Sequence, residues 1–152
     1  MTDKIVQFGD KPIGDFRERP GAYAVIYNEN DEMLALNVQG SFHLPGGGVD
    51  DGEDPEVTIN REAIEEAGCN VDDLKYLGHA NQFFQKEGRE SINKAGIFYS
   101  ARMVDIDESV SIEDDHVVTW VTPRKFLSSN ASEFQKWAVK KFLEHKKFIY
   151  KE

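Results

Sequence analysis

The segment 47–69 constrains this chain more than any other, because it places acidic residues at fixed spacing within one predicted helix. Glu62, Glu65 and Glu66 occupy positions i, i+3 and i+4, so at about 100° per residue they project from one side of that helix. Like charges at this spacing repel one another, and more strongly where water is excluded. A chain that concentrates them needs a compensating cation, and Arg61 supplies only one positive charge.

The flanking residues define where this helix begins and ends. Asp54 suits the N-cap, and Pro55 suits the first helical position, where its missing N–H costs nothing. Gly68 suits a left-handed C-terminal cap. We therefore predict a helix over residues 55–67. The apolar residues expected on the arc opposite the acids, and therefore in the core, are Val57, Ile59, Ala63, Ile64 and Ala67.

A glycine-rich segment, Leu-Pro-Gly-Gly-Gly-Val at residues 44–49, precedes the helix. Consecutive glycines let the backbone turn tightly and approach a ligand that side chains would obstruct. The carboxylates and backbone carbonyls gathered here are hard oxygen donors of the kind that Mg²⁺ and Mn²⁺ prefer. The sequence therefore predicts a divalent metal site, able to bridge to substrate phosphates, where the glycine segment meets the helix.

The spacing of these residues resembles the signature of the Nudix hydrolases: a glycine, five residues, Glu, seven residues, Arg-Glu, an aliphatic residue, any residue, Glu-Glu, any residue, Gly and an aliphatic residue. All the fixed positions match, and they are Gly47, Glu53, Arg61, Glu62, Glu65, Glu66 and Gly68. Ala63 and Cys69 are smaller than the usual aliphatic residues. The alternative is a solvated acidic helix with Arg61 in a surface ion pair, which the complete spacing disfavours.

The resemblance implies a role for each conserved position of the signature. The implied metal ligands are the carboxylates of Glu62, Glu65 and Glu66 and the carbonyl of Gly46. Arg61 and Glu53 are implied to pair across the junction of loop and helix and to hold the carboxylates in place, and in some relatives Glu53 joins the metal site. The implied cofactor is Mg²⁺, with Mn²⁺ as an alternative.

The implied reaction is attack by water on a phosphorus of a nucleoside diphosphate linked to another moiety. A general base must accept the proton of that water, and in some relatives it lies in a loop shortly before a tryptophan-bearing strand. Here Glu113, Asp114 and Asp115 precede Trp120 at about that distance. Glu113 and Asp114 are therefore candidate catalytic residues, and an ordinary hydrophilic loop is the alternative.

The subclass of substrate follows only from what is missing. Motifs typical of enzymes for diadenosine polyphosphates, ADP-ribose and NADH do not occur downstream of the signature, which leaves a mutator-type or general nucleoside-triphosphate pyrophosphohydrolase. The alternative function is a catalytically silent module that senses nucleotides or binds a partner. The undamaged signature favours the hydrolase. Activity is expected to rise above neutral pH, because a water or base must lose a proton.

Candidate substrate-binding residues lie outside the signature, and each has a structural alternative. They are Arg17, Arg19, Asn37, His43 and Phe84. The two arginines could equally form a solvated lead-in to the first strand, and the histidine could be a partly buried structural residue. Ordinary turn chemistry explains the asparagine, and core packing explains the phenylalanine.

Composition limits the remaining possibilities. At 152 residues with 39% apolar residues the chain suits a single domain over residues 1–152, and without a signal peptide or apolar span it is expected to be soluble and cytoplasmic, away from membranes. A net charge of −10 argues against nucleic-acid polymers as partners, whereas a metal in an acidic site still admits a small phosphorylated substrate. A homodimer is compatible with the resemblance. The single cysteine, Cys69, is expected to be a small buried residue.

Apolar runs and turn residues along the chain predict strands on both sides of the acidic helix. Their order resembles the Nudix fold, and the resemblance implies an α/β (α+β) fold in which a central mixed sheet lies between helices, an α/β/α sandwich with the loop and acidic helix between strands. The predicted strands cover residues 21–27, 33–38, 41–44, 74–85, 94–104 and 117–121. Two further helices are predicted over residues 123–127 and 133–147, and the last is expected to pack on the sheet.

Overall fold

A computed structural model describes residues 4–85, 88–107, 109 and 116–149, with the side chains of residues 147–149 left out. The strands are β1 (Val6–Phe8), β2 (Phe16–Tyr27), β3 (Met33–Val38), β4 (Ser41–His43), β5 (Gly46–Gly48), β6 (Cys69–Phe84), β7 (Ser91–Ile106) and β8 (Val117–Val121). The helices are α1 (Pro55–Ala67), α2 (Pro123–Leu127) and α3 (Glu133–Ile149).

All described strands belong to one sheet, in the order β1-β6-β7-β2-β3-β4, with β5 paired to β2 and β8 paired to β3. The pairs β1–β6 and β2–β7 are parallel, and the other pairs are antiparallel. The sheet is therefore mixed, which confirms the predicted fold class.

Helices cover both faces of the sheet, because side chains alternate along each strand. On β2, Ala22, Ala24 and Ile26 are fully buried in the core beneath α1. Val25, between them in sequence, belongs to the core formed with α2 and α3, which also contains Phe134. Small residues on the first face let α1 approach the sheet closely. The result is the predicted α/β/α sandwich.

Helix α1 has the predicted bounds and caps. The Asp54 side chain accepts the N–H of Glu56, Pro55 occupies the first turn, and Gly68 ends the helix at φ 61° in the left-handed region. One expectation about its faces is wrong, because Val57 and Ile64 are exposed to 54% and 42%. The buried face includes Thr58 and Ile59 and lies next to the glutamates, since Glu62 and Glu66 must face the sheet to reach the glycine segment.

The strand boundaries differ from prediction where the sequence is polar or glycine-rich. β2 begins at Phe16, so Arg17 and Arg19 lie within a strand, opposite Ile92 and Lys94 of β7, rather than in a lead-in. Pairing with β7 gives this polar segment a strand conformation that local propensity does not favour.

The glycine segment forms strand β5 rather than a simple turn. Gly46 pairs with Tyr23 and Gly48 with Gly21. A Cβ atom on Gly46, at φ 146°, would overlap the carbonyl oxygen of Ala22, so only glycine fits this pairing. The backbone of β5, which has no side chains, therefore pairs with β2 beside the acidic helix.

The described helices include none that combines the length and apolar character needed to cross a membrane. Cys69 is fully buried in the core beneath α1, as predicted. Burial raises the pKa of its thiol to about 11, which keeps the thiol protonated near neutral pH.

Candidate active site

A bidentate ion pair joins the loop before α1 to the helix. Nε and Nη2 of Arg61 donate to the two carboxylate oxygens of Glu53 at 3.1 and 3.0 Å. The hydroxyl of Thr58 donates to the same carboxylate at 2.6 Å, and the N–H of Asp50 donates at 3.2 Å. The Arg61 hydrogen bond, with those of Thr58 and Asp50, lowers the pKa of Glu53 to about 2. The ion pair implied by the resemblance is therefore present.

Arg61 also contacts two of the implied metal ligands. Its Nη1 donates to Glu62 at 3.0 Å and to Glu65 at 3.4 Å. The hydrogen bonds to Glu53 hold the pKa of Arg61 above its ordinary range, so the guanidinium stays charged. One arginine thus offsets the repulsion among three carboxylates.

The other side of the acidic cluster contacts the glycine strand. The N–H of Gly46 donates to Oε1 of Glu66 at 2.8 Å. A Cβ atom on Gly47 would lie 2.7 Å from Oε1 of Glu62, so a larger residue there would displace that carboxylate. Both glutamates are therefore held against a backbone without side chains.

The oxygen donors at this junction fit a hard divalent cation chemically. Carboxylates of Glu62, Glu65 and Glu66 and nearby backbone carbonyls are the ligand types that Mg²⁺ and Mn²⁺ accept. Within the described residues, no three acidic, histidine or cysteine side chains are close enough to enclose a metal as they stand. Instead, Arg61 bridges the carboxylates of Glu53, Glu62 and Glu65.

A cleft of about 340 Å³, here called the glycine pocket, opens beside this cluster and is lined by all three residues of β5. The functional side chains that line it are Arg19, Tyr23, His43, Glu66, Lys94 and His116. Of the acidic helix, Glu66 is the residue that reaches the pocket wall. The pocket therefore combines one carboxylate of the signature with cationic and aromatic groups from other strands.

Tyr23 places a protonated hydroxyl group at this pocket. Burial, with smaller contributions from the Glu66 and Glu62 carboxylates, raises its pKa to about 12, although the Arg19 cation acts in the opposite direction. Its ring stacks on Phe98 at a centroid distance of 5.5 Å, which fixes its orientation. The phenol is therefore a hydrogen-bond donor at neutral pH, able to contact a phosphate oxygen.

Two histidines line the pocket in different ways. Partial desolvation, and then the nearby Lys94 cation, lower the pKa of His43, so its imidazole is neutral at physiological pH. Nε2 of His116 lies 2.6 Å from the backbone carbonyl oxygen of Glu66. Because a carbonyl only accepts, this nitrogen carries the proton and satisfies an orphan carbonyl at the end of α1.

The remaining residues predicted for the site are not all brought together. Oδ1 of Asn37 accepts the N–H of Gly40 at 2.8 Å, which is turn chemistry, and Asn37 does not line the glycine pocket. Arg17 and Phe84 line an adjoining groove instead. Glu113 and Asp114, the candidate bases, lie outside the described residues.

The sequence reasoning missed Tyr23, Lys94 and His116. Tyr23 lies in a run of buried strand residues, where an aromatic residue is usually part of the core. Lys94 was predicted only as the start of a strand, although a lysine among half-buried positions is a usable signal for an anion site. His116 directly follows the acidic residues 113–115 in sequence, and its position before the tryptophan-bearing strand was the available clue.

The chain belongs to the NUDIX domain family, whose profile matches residues 17–144. The RNA pyrophosphohydrolase of Tolumonas auensis is 39% identical over 69 residues, 44% of this chain and 40% of the relative. The RNA pyrophosphohydrolase of Yersinia enterocolitica is 35% identical over 75 residues, 48% of this chain and 43% of the relative. The chain thus spans about two-fifths of the length of these curated relatives.

Solved structures agree on the fold. The MutT protein from Methanosarcina mazei Go1 superimposes with a TM-score of 0.66 at 24% identity, over 88% of this chain and 98% of that one. A NUDIX hydrolase from Nitrosomonas europaea gives a TM-score of 0.69 at 17% identity, over 84% and 90%. At such identities the likeness concerns the fold alone. Hydrolases of this family generally use divalent metals.

Proposed function

We propose that this protein hydrolyses the pyrophosphate linkage of a nucleoside diphosphate joined to another moiety, with a (d)NTP or a related nucleotide derivative as substrate. One observation supports the proposal most strongly. The glutamates of the complete acidic signature contact strand β5, which consists of glycines, at the edge of a cleft that Arg19 and Lys94 also line. Carboxylates for a metal and cations for phosphates are the two requirements of this chemistry.

The cofactor proposed is Mg²⁺, with Mn²⁺ as an alternative. Its ligands would be the carboxylates of Glu62, Glu65 and Glu66 and the carbonyl of Gly46. Bound there, the cation would neutralise pyrophosphate charge and lower the pKa of the attacking water. The Glu53–Arg61 pair positions these ligands without touching the substrate, as outer-shell groups of metal sites commonly do.

The other residues of the pocket would bind and orient the substrate. Arg19 and Lys94 offset the negative charge of phosphates entering the pocket. The Tyr23 hydroxyl donates a hydrogen bond, and the neutral His43 imidazole is a further polar contact. The general base proposed is Glu113 or Asp114, from the acidic loop that His116 follows.

A phosphorylated RNA end is a second candidate substrate. The observation that favours it is the similarity to curated relatives named RNA pyrophosphohydrolase, which extends over 69 residues at 39% identity in one case. The net charge of −10 opposes long polymers, whose affinity comes largely from neutralising many phosphates. A short 5′ end, in which few phosphates contact the protein, is compatible with both observations.

The experiment that tests the proposal is a phosphate and pyrophosphate release assay with canonical and oxidised dNTPs, ADP-ribose, diadenosine polyphosphates, NADH and nucleotide sugars. Each compound is assayed with Mg²⁺, with Mn²⁺ and with chelator. The decisive variant is Glu66→Gln, which keeps the shape of the side chain and removes its charge. The matched control is Glu144→Gln, an exposed acid on α3 that does not line the glycine pocket.

We expect strong release from one class of compound, only with metal, and loss of that release in Glu66→Gln but not in Glu144→Gln. Unchanged turnover in Glu66→Gln would overturn the proposed mechanism. If no compound is hydrolysed while some nucleotides raise the melting temperature, the protein is the nucleotide-sensing module instead. The pH profile gives a further check, since activity should rise above neutral pH.

A further inference from the structure

A second depression adjoins the glycine pocket and is here called the basic groove. It has a volume of about 350 Å³, and the side chains that define it are Arg17, Arg19, Phe84, Arg89 and Lys94. Arg19 and Lys94 line the glycine pocket as well, so the two depressions meet at these residues. A ligand lying in the pocket can therefore continue into the groove.

The groove lies along β2 beyond the end of the glycine strand. Tyr23 pairs with Gly46 of the glycine strand, and Arg19 and Arg17 lie four and six residues earlier on β2. At the rise of a β-strand these positions are about 13 and 20 Å from Tyr23, and about 7 and 13 Å from Gly21, which pairs with the last residue of the glycine strand. Alternation along the strand places both arginines on the same face of β2. The two guanidinium groups therefore lie one after the other along this face, with Arg17 farther from the glycine strand.

The three arginines of the groove are not neutralised by ion pairs within the described part of the protein. Arg17, Arg19 and Arg89 form no ion pair with a carboxylate there, and Glu90 is the single acid among the described residues that line the groove. The whole chain carries 28 acidic and 18 basic residues, so available carboxylates are abundant. Arginines kept apart from them beside a phosphate-binding pocket indicate an anionic ligand, which guanidinium groups bind in bidentate fashion.

An aromatic ring lies among these cations. Phe84 is half-buried and meets Phe134 edge to face at a centroid distance of 5.8 Å, which anchors the ring on the core. Nζ of Lys94 lies 5.0 Å from the centroid of the Phe84 ring. Aromatic rings between cations are typical of sites where a base stacks while phosphates are held beside it.

We propose that the basic groove is a second subsite that binds a phosphorylated nucleoside unit attached to the substrate beyond its hydrolysed pyrophosphate. This inference rests on the proposed function and narrows its substrate class to extended compounds. The shared chemistry is a second nucleoside that carries phosphate, and a 5′-triphosphorylated dinucleotide and a dinucleoside polyphosphate both supply it. Arg17 and Arg89 contact the phosphates of that unit, and Phe84 contacts its base.

The test compares three compounds in the same metal-dependent assay: ATP, a 5′-triphosphorylated dinucleotide and diadenosine tetraphosphate. The variant is the double change Arg17→Gln with Arg89→Gln, and the matched control is Arg124→Gln, an exposed arginine of α2 outside the groove. We expect kcat/KM for one extended compound to exceed that for ATP about tenfold. The double variant should remove most of this advantage through KM, and reduce its dependence on salt.

The two extended compounds distinguish the sources of the ligand. Preference for the dinucleotide assigns the groove to a phosphodiester-linked unit, and preference for diadenosine tetraphosphate assigns it to an anhydride-linked one. Equal kcat/KM for ATP and both extended compounds overturns the inference while leaving the proposed function intact. A double variant whose kcat/KM falls by the same factor for every compound also overturns the inference.

Binding is measured separately, so that failure of the proposed function is distinguishable. The dinucleotide and ATP are titrated by calorimetry into wild type, the double variant and Arg124→Gln, with chelator present. If no compound is hydrolysed in the assay, the proposed function fails. Weaker dinucleotide binding in the double variant, with ATP binding little changed, would still support the groove, and equal dinucleotide affinity in all three proteins would refute it.

Discussion

The acidic cluster and the basic groove border the same pocket but are assembled in opposite ways. All the acids of the cluster come from the continuous segment 53–66, and Arg61 within that segment bridges Glu53, Glu62 and Glu65. The groove takes its cations from β2, from β7 and from the segment that precedes β7, which the parallel pairing of β2 with β7 brings together. The acidic cluster is therefore determined by local sequence, whereas the basic groove is formed by strand pairing in the sheet.

The difference also concerns how charge is balanced. Arg61 offsets the charges of Glu53, Glu62 and Glu65 within one segment, and Gly46 of the adjacent glycine strand donates a hydrogen bond to Glu66. The arginines of the groove have no ion pair in the described part of the chain and are exposed to solvent, so they are available to an anionic ligand. A change within the cluster should therefore disturb several groups at once, whereas a change in the groove should act on substrate affinity alone.

The largest effect expected in the cluster is that of Arg61→Gln. This change removes the hydrogen bonds to Glu53, Glu62 and Glu65 together, so we expect metal-dependent turnover to fall about 100-fold, as for loss of outer-shell partners of a metal site. The measurement is kcat with Mg²⁺, with circular dichroism as a check on folding. Arg124→Gln is the control for loss of an arginine. A folded Arg61→Gln protein with wild-type kcat would show that the acidic cluster does not need Arg61 to hold its carboxylates in place.

Gly47→Ala tests whether the glycine strand holds the cluster in place. The new Cβ would lie 2.7 Å from Oε1 of Glu62, and that carboxylate is the flexible end of its side chain, so the carboxylate moves while the fold survives. We expect about a tenfold loss of turnover with a nearly unchanged melting temperature. The control is Gly14→Ala, because a Cβ there meets no atom within 4 Å. A Gly47→Ala enzyme as active as Gly14→Ala would show that Glu62 tolerates displacement.

His116→Ala tests the described contact between the loop preceding β8 and the end of the acidic helix. It removes one hydrogen bond to the carbonyl of Glu66, whose net worth predicts a loss of roughly threefold in kcat. The control is His145→Ala, an exposed histidine on α3. If His116 only lines the pocket, KM should rise instead and kcat should stay unchanged. That outcome would make His116 part of substrate binding rather than a positioning residue for Glu66.

Much of the fold was predictable because its boundaries carry local signals. Helix α1 was predicted at its observed bounds from its N-cap, its first-turn proline and its C-terminal glycine. Strands β3 and β8 and helix α2 were also predicted at their observed bounds. The first residues of β2 and the strand β5 were not, because arginines and glycines have low strand propensity and only pairing with β7 and β2 orders them.

The contacts of the site likewise include local ones, which the sequence predicts, and long-range ones, which it does not. The Glu53–Arg61 pair follows from spacing within one segment, and the structure contains it. The contact of His116 with Glu66 joins residues fifty positions apart, and no local pattern indicates it. Val57 and Ile64 were wrongly expected in the core because the core was placed opposite the acids. In the structure Glu66 contacts the glycine strand, so the buried face lies next to the acids.

The smallest effect expected is on stability at acid pH, and it isolates the Glu53–Arg61 pair. The folded-state pKa of Glu53 is lowered to about 2, so its ionised form is favoured by folding. The stabilisation is fully present above the ordinary pKa of an unfolded glutamate, about 4.3, and is lost as the pH falls through about 2. The melting temperature of Glu53→Gln should therefore be lower than that of wild type at neutral pH, and the difference should shrink below about pH 4. A difference that stays constant down to pH 2 would show that the ionised pair does not stabilise the junction of loop and helix.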